Sequence, residues 1–226
     1  MIRQAILLVI DGMDVCNFTM ADTPVMGGWH GRTAVAVAHT EIIGAGTAIT
    51  PIAHAMMGTG QNVIAHRPGR QTSGRPFNYV GDPARTLGDA ARDKSLVTCA
   101  IGKNEAAIAL GGTDNLDISR LEKDGVSSVD AVGLAHEVIT CLPRFKPGGI
   151  MVVNFNGVDA AAHNRDVYAT IAAVEQADHL VEQITQAVDL STTLIVIAAD
   201  HGTNPLTGRH NPIPTPLVLI NDAIEG

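Results

Sequence analysis

Aspartate and histidine recur in this chain where short apolar runs end. Asp11-Gly12 follows Ala5–Ile10. Asn154 follows Ile150–Val153, with Asp159 and His163 a few residues on. Asp200-His201-Gly202 follows Leu194–Ala199, and His210 leads into the last apolar run. Carboxylate and imidazole are donors suited to Zn²⁺ or Mn²⁺, and the lack of thiolates turns the set away from a purely structural zinc site. A single aspartate after a strand is ordinarily a turn or cap residue. The combination of Asp11, Asp159-x-x-x-His163, Asp200-His201 and His210 is what points to a metal centre. His39, His136 and His179 stand apart from it and are read as structural.

A second feature supplies a reactant. Ile49-Thr50-Pro51 through Gly58-Thr59-Gly60 reads as a short helix. Thr50 is suited to the N-cap and Pro51 to the first helical position, while Gly58 and Gly60 would end it. A hydroxyl there lies beside unpaired N–H groups and the positive end of the helix dipole, which can also hold a phosphate. A divalent ion nearby would lower the hydroxyl's pKa and make it a nucleophile. Taken alone, Thr50 reads as a plain capping threonine; beside a two-metal ligand set it reads as the nucleophile.

The elements that must position these groups are legible as well. Ala5–Ile10, Thr33–Ala38, Leu96–Ile101, Ile150–Val153, Leu194–Ala199 and Pro216–Ile220 are continuous apolar runs rich in β-branched residues. That is the pattern of strands buried on both faces of a parallel sheet. Between them lie helical patterns, clearest at Val167–Val188 and again at Val129–Leu142. Alternating strands and helices imply an α/β fold: a three-layer sandwich, mostly parallel, with helices on both faces. Ligands of such sheets bind beyond the carboxyl ends of the strands, where the Asp and His residues fall. Residues 1–226 are expected to form a single domain. Gln61–Arg85, rich in Gly, Pro and Arg, reads as a long loop or short lid, and Asn104–Gly125 as a second polar connection. No internal repeat is evident.

Composition narrows the class. The chain has 226 residues, of which 46% are hydrophobic and 17% charged, enough for a packed core rather than a disordered chain. A net charge of -8 argues against nucleic acid, and 3% aromatic residues leave no base-stacking platform. Cys16, Cys99 and Cys141 are widely spaced, so they read as reduced thiols of the cytosol. No apolar run approaches a membrane span, and Ala5–Ile10 is too short for a signal-peptide core. A cytoplasmic protein with no membrane partner is expected.

These residues together resemble the alkaline phosphatase superfamily, and within it phosphopentomutase and cofactor-independent phosphoglycerate mutase. Ile10-Asp11-Gly12 matches the family's first metal aspartate. Thr50, His54 and Gly58-Thr59-Gly60 match its nucleophile segment. Asn154 through Asp159 and His163, followed by Asn164-Arg165-Asp166, resembles the mutases' second ligand stretch. Asp200-His201-Gly202 and His210 match its last ligands, and Thr86-Leu87-Gly88-Asp89 through Ile101-Gly102-Lys103 resembles phosphopentomutase. The resemblance implies one metal held by Asp11, Thr50, Asp200 and His201, and another held by Asp159, His163 and His210. Manganese or zinc would serve, with magnesium as a further possibility.

One departure is large. The mutases carry a sizeable cap domain where this chain has only about 25 residues, Gln61–Arg85. A mutase must keep water from its phosphoryl group, and closure of the site does this. The expected activity is therefore hydrolysis of a small phosphate ester through a phosphothreonine on Thr50. The alternatives are a minimal phosphomutase, closed by its own lid or by a neighbouring subunit of a homo-oligomer, and a non-catalytic metal- or phosphate-binding protein. The absence of a Cys-x-Pro-x-Arg motif disfavours a sulfatase. Candidate phosphate contacts are Lys103, Asn154 and, from the basic cluster His66, Arg67, Arg70 and Arg75, chiefly Arg67 and Arg70, since arginine forks suit phosphate oxygens.

Overall fold

Gln4–Ile10 carries six consecutive apolar residues and forms β1, the strand around which the others assemble. The computed structural model describes residues 1–28, 33–38, 41–42, 46–47, 49–60, 85–122, 128–145 and 147–224. Of the expected lid, residues 61–84 lie outside the described residues, with His66, Arg67, Arg70 and Arg75 among them, as does His39. In chain order the elements after β1 are α1 (Val15–Met20), β2 (Thr33–Ala38), β3 (Glu41–Ile42), β4 (Gly46–Thr47) and α2 (Thr50–Thr59). Then come α3 (Leu87–Asp93), β5 (Val97–Gly102), β6 (Ile118–Leu121), α4 (Ala131–Cys141), β7 (Gly149–Phe155), α5 (Gly157–His163) and α6 (Val167–Ala187). The chain closes with β8 (Thr193–Ala198), β9 (Gly202–Asn204), β10 (Arg209–Asn211) and β11 (Thr215–Ile220).

Seven strands form one sheet in the order β2-β11-β8-β1-β7-β5-β6. β8, β1, β7, β5 and β6 run parallel; β11 is antiparallel to both β8 and β2. Side chains alternate across the central strands. Ile6, Leu8 and Ile10 of β1, with Met151, Val153 and Phe155 of β7, pack against Leu134 and Val138 of α4 and Val174, Leu180, Val181 and Ile184 of α6. Leu7 and Val152 point the other way, into Leu87, Ala106, Ala107, Ala109 and Leu110. Both faces are covered, which is the three-layer arrangement expected. The helices begin where their caps place them: Asp130 accepts from Val132 and Gly133 N–H, and Asp166 from Ala169 N–H. Among the described residues no helix is long and apolar enough to cross a membrane.

Two expectations are corrected. Thr33–Ala38 is a strand, but not one buried on both faces: β2 is the sheet edge, and Val35 and Val37 are exposed. A continuous apolar run identifies a strand without fixing its place in the sheet. Asn104–Gly125 is more than a polar connection. Asn104–Leu110 forms a 3₁₀ helix whose Ala106–Leu110 are all buried, and β6 follows it. That helix packs on α2 so closely that a Cβ on Gly58 would meet the Ala109 backbone oxygen at 2.2 Å. Gly58 lies in the last turn of α2, and Gly60, at φ +64°, ends the helix as expected. Gly58→Ala should destabilise the protein by about 1–3 kcal/mol, as overpacking does, despite alanine's better helix propensity. Urea unfolding checks this; an unchanged or higher midpoint would contradict the contact.

Candidate metal centre

β1 and β8 lie side by side with β7 flanking β1, and their carboxyl ends deliver Asp11, Asp200 and Asn154 to one edge of the sheet. The turn after β1 organises the rest. Gly12 has φ +80°, and a Cβ there would meet the Asp159 backbone at 2.8 Å, so only glycine fits. The Gly12 N–H donates to Asp200 Oδ1 at 3.2 Å. The carbonyl of Asp11 accepts from Asp159 N–H and that of Gly12 from Thr203 N–H, each at 3.0 Å. The start of α5 and the stretch from Asp200 to Thr203 are thus both fastened to one two-residue turn.

The first cluster is fully enclosed. Asp11, Asp200 and His201 offer ligand atoms that all lie within 4.8 Å of one another. His201 Nε2 is 3.3 Å from Asp200 Oδ2, 3.5 Å from Asp11 Oδ1 and 3.1 Å from Thr50 Oγ1. Burial brings the His201 pKa down to about 4 against the pull of Asp11, so the ring is neutral at pH 7. Burial, reinforced by the Asp11 charge, holds the Asp200 carboxyl well above its ordinary value. Asp11 itself stays below its ordinary value: burial opposes ionisation most strongly, but the Lys103 ammonium 2.8 Å away, together with the nearby His201 and His54, outweighs it.

The second cluster opens toward solvent. Asp159 and His163 lie four residues apart on one face of α5. His163 Nε2 is 3.3 Å from Asp159 Oδ1, and its Nδ1–H donates to the Gly208 carbonyl at 2.8 Å. That bond holds the ring with its Nε2 toward Asp159. His210 Nε2 lies 3.7 Å from Asp159 Oδ1 and 3.3 Å from His163 Nε2. The β9–β10 hairpin pairs His210 with Thr203 and stacks the His210 ring on His201, centroids 3.7 Å apart. The two clusters therefore adjoin.

The donor set fits divalent ions. Asp11 Oδ1 and Asp200 Oδ2 are buried without a hydrogen-bond partner. Unpartnered buried carboxylate oxygens are costly, and here two of them face the Nε2 of a neutral imidazole. A divalent ion supplies what those three acceptors lack.

Thr50 is brought to this cluster, with one correction. Ile49, not Thr50, is the N-cap of α2, and Thr50 is the first helical residue. Pro51 is tolerated in the first turn because its missing N–H would have been unpaired anyway. The Thr50 hydroxyl is consequently not used as a cap and turns to His201. Lys103, beyond the end of β5, donates to Asp11 Oδ2 and, at 3.0 Å, to Asn156 Oδ1. Burial opposes its charge, but the Asp11 carboxylate raises its pKa above the ordinary lysine value. Asn154 is fully buried; its Nδ2 donates to His54 Nε2 at 3.0 Å and to Asp11 Oδ2 at 3.4 Å. Burial holds His54 near a pKa of about 4, hence neutral. Sequence reasoning missed Asn156, the Gly208 carbonyl and Thr203, whose Oγ1 donates to Asp159 Oδ1 at 2.6 Å. The one available signal for Thr203 is its place directly after Asp200-His201-Gly202.

Comparison with known proteins bears on the family and the fold. A family model described as the metalloenzyme superfamily matches residues 3–226. A 2,3-bisphosphoglycerate-independent phosphoglycerate mutase of Methanopyrus kandleri is 32% identical over 99 residues, covering 43% of this chain and 24% of the mutase. The match thus spans about a quarter of that relative. The structure of PH0037 from Pyrococcus horikoshii superimposes with a TM-score of 0.68 at 14% identity, covering 99% of this chain and 87% of that one. The alkaline phosphatase of the Antarctic bacterium TAB5 does so with a TM-score of 0.66 at 9% identity, covering 97% and 91%. These two likenesses concern the fold. By its family match and its architecture, the chain belongs to the metalloenzyme superfamily and has an alkaline phosphatase-like core.

Proposed function

We propose that this protein is a metal-dependent phosphohydrolase that moves a phosphoryl group from a small phosphate ester onto Thr50 and then to water. The observation that carries this reading is the Thr50 hydroxyl. It stands at the start of α2, unused as a cap, 3.1 Å from His201 Nε2 in a cluster of buried acceptors. Asp11, Thr50, Asp200 and His201 would hold one divalent ion, and Asp159, His163 and His210 the other. When bound, such ions lower the pKa of a nearby hydroxyl and neutralise charge on phosphoryl oxygens. Manganese suits this oxygen- and imidazole-rich set, and zinc also fits it.

The chain's own groups divide the remaining work. Thr50 Oγ1, having lost its proton to solvent, forms the new bond to phosphorus as the bond to the ester oxygen breaks. The alcohol leaves with a proton from water. A second water then cleaves the phosphothreonine, releasing inorganic phosphate and restoring the hydroxyl. Lys103 has three N–H donors, of which two serve Asp11 and Asn156, so one remains for a phosphate oxygen. Asn154 braces Asp11 and His54 from beneath.

A second reading, a minimal phosphomutase, is favoured by the stretch that matches phosphoglycerate mutase. The brevity of Gln61–Arg85 speaks for hydrolysis, since about 25 residues rich in Gly, Pro and Arg offer little to exclude water. A panel of sugar phosphates and phosphoglycerates on Mn²⁺- or Zn²⁺-loaded protein separates the two. Released phosphate should exceed isomerised product for every substrate that reacts. Clean interconversion of ribose 1-phosphate and ribose 5-phosphate with almost no free phosphate would establish the mutase instead.

A further inference from the structure

One buried hydroxyl joins the two ligand clusters. Thr203 Oγ1 lies 2.6 Å from Asp159 Oδ1 and 3.3 Å from His201 Nδ1. Thr203 and His201 are both 0% exposed, so water does not compete for these contacts. The threonine is held on both sides of its Cα. Its N–H donates to the Gly12 carbonyl at 3.0 Å, and its own carbonyl accepts from Asn17 Nδ2 at 3.3 Å. Across the hairpin it lies opposite His210.

Proton counting assigns the direction of each bond. A hydroxyl has one proton to give, and an ionised carboxylate has none. The short contact to Asp159 therefore uses the Thr203 proton, as a charge-assisted bond. An oxygen lone pair is left facing His201 Nδ1, which makes Nδ1 the protonated ring nitrogen. His201 Nε2 is then bare where it faces Asp11, Asp200 and Thr50. We infer that Thr203 is a positioning residue: through the line His201 Nδ1–H to Thr203 Oγ1–H to Asp159 Oδ1, it fixes the metal-ready tautomer of His201 and couples the two clusters. The inference rests on the reading of the site as a two-metal centre and adds the group that makes its two halves interdependent.

Outer partners of metal ligands commonly change metal affinity 10- to 100-fold when removed. Thr203→Val keeps the side chain's shape but leaves Asp159 Oδ1 without this donor and His201 Nδ1 without its acceptor. Mn²⁺ affinity should fall about 10- to 100-fold at both sites, since each cluster loses a bond. Thr203→Ser retains the hydroxyl and should bind within a few-fold of wild type. The measurement pairs Mn²⁺ titration calorimetry with ¹⁵N NMR of the histidine rings in the metal-free protein at pH 8. The His201 signals would be assigned by their loss in His201→Asn. The Nδ1–H tautomer is expected in wild type, lost in Thr203→Val and regained in Thr203→Ser. An Nε2–H ring in wild type, or unchanged Mn²⁺ affinity in Thr203→Val, would overturn the inference. Should wild type bind neither Mn²⁺ nor Zn²⁺, the two-metal reading fails, and the tautomer series still decides what Thr203 does to His201.

Discussion

Thr50→Ala should lower turnover of any reactive phosphate ester by roughly 10³-fold or more, the scale expected when a nucleophile is removed. Its metal affinity should change far less, because Asp11, Asp200 and His201 remain in place around the same space. The fold should hold too. The Thr50 side chain does not cap α2, whose N-cap is Ile49, so helix stability loses no capping bond. Thr50→Ser keeps a hydroxyl at the same backbone position and should retain partial turnover, reduced because the serine samples more rotamers than threonine. Quenched mixtures of wild type with substrate should contain phosphorylated Thr50, detectable by mass spectrometry, and Thr50→Ala should contain none. Wild-type rates in Thr50→Ala would remove Thr50 from the reaction and leave direct attack by water as the better account.

The parts of this site that could be read in the sequence are those whose position is fixed by strand ends. Asp11 and Asp200 each follow a continuous apolar run, and in a parallel sheet such runs end on the same side. Asp159 and His163 are legible as ligand types after a strand end, while the short helix that sets them on one face shows only in the structure. His210 was legible only as a type of ligand. It reaches the centre through the β9–β10 hairpin, whose strands are three residues each and carry no period long enough to detect. Thr203 was invisible for a related reason: its role depends on which residue faces His210 across that hairpin, a register no local pattern encodes. The edge strand β2 shows the converse. Thr33–Ala38 reads like a central strand, because valine and alanine suit either place, and only the sheet order puts it at the margin. The alanine-rich Asn104–Leu110 gives no signal in sequence, because a short buried 3₁₀ segment has neither helical nor strand period.

Asp200→Asn should have opposite effects on stability without and with metal. Among the protein's own groups, Asp200 Oδ2 is buried and has no hydrogen-bond partner beside Asp11. Burial and the Asp11 charge hold its folded pKa well above the unfolded value near 4. The folded state then binds protons more tightly than the unfolded one, so this carboxyl's contribution to stability is greatest below about pH 4. It is lost as pH rises through the raised folded value. Asparagine carries no such charge and can still accept from the Gly12 and His201 N–H groups through its Oδ1. With chelator present, Asp200→Asn should therefore unfold at a higher temperature than wild type at pH 7–8, and the gap should narrow toward pH 4. With Mn²⁺ the order should reverse. A ligand at 1,000 times its Kd adds about 4 kcal/mol to the stability of the state that binds it, and a carboxylate must be ionised to bind. Wild type should thus gain stability from Mn²⁺ increasingly as pH rises, while Asp200→Asn gains little at any pH. Thermal unfolding from pH 4 to 8, with and without Mn²⁺, reads both effects. Equal stabilisation of the two proteins by Mn²⁺ would place the ion elsewhere. A less stable metal-free variant would mean that the Asp200 carboxylate is tolerated in the fold without a cation.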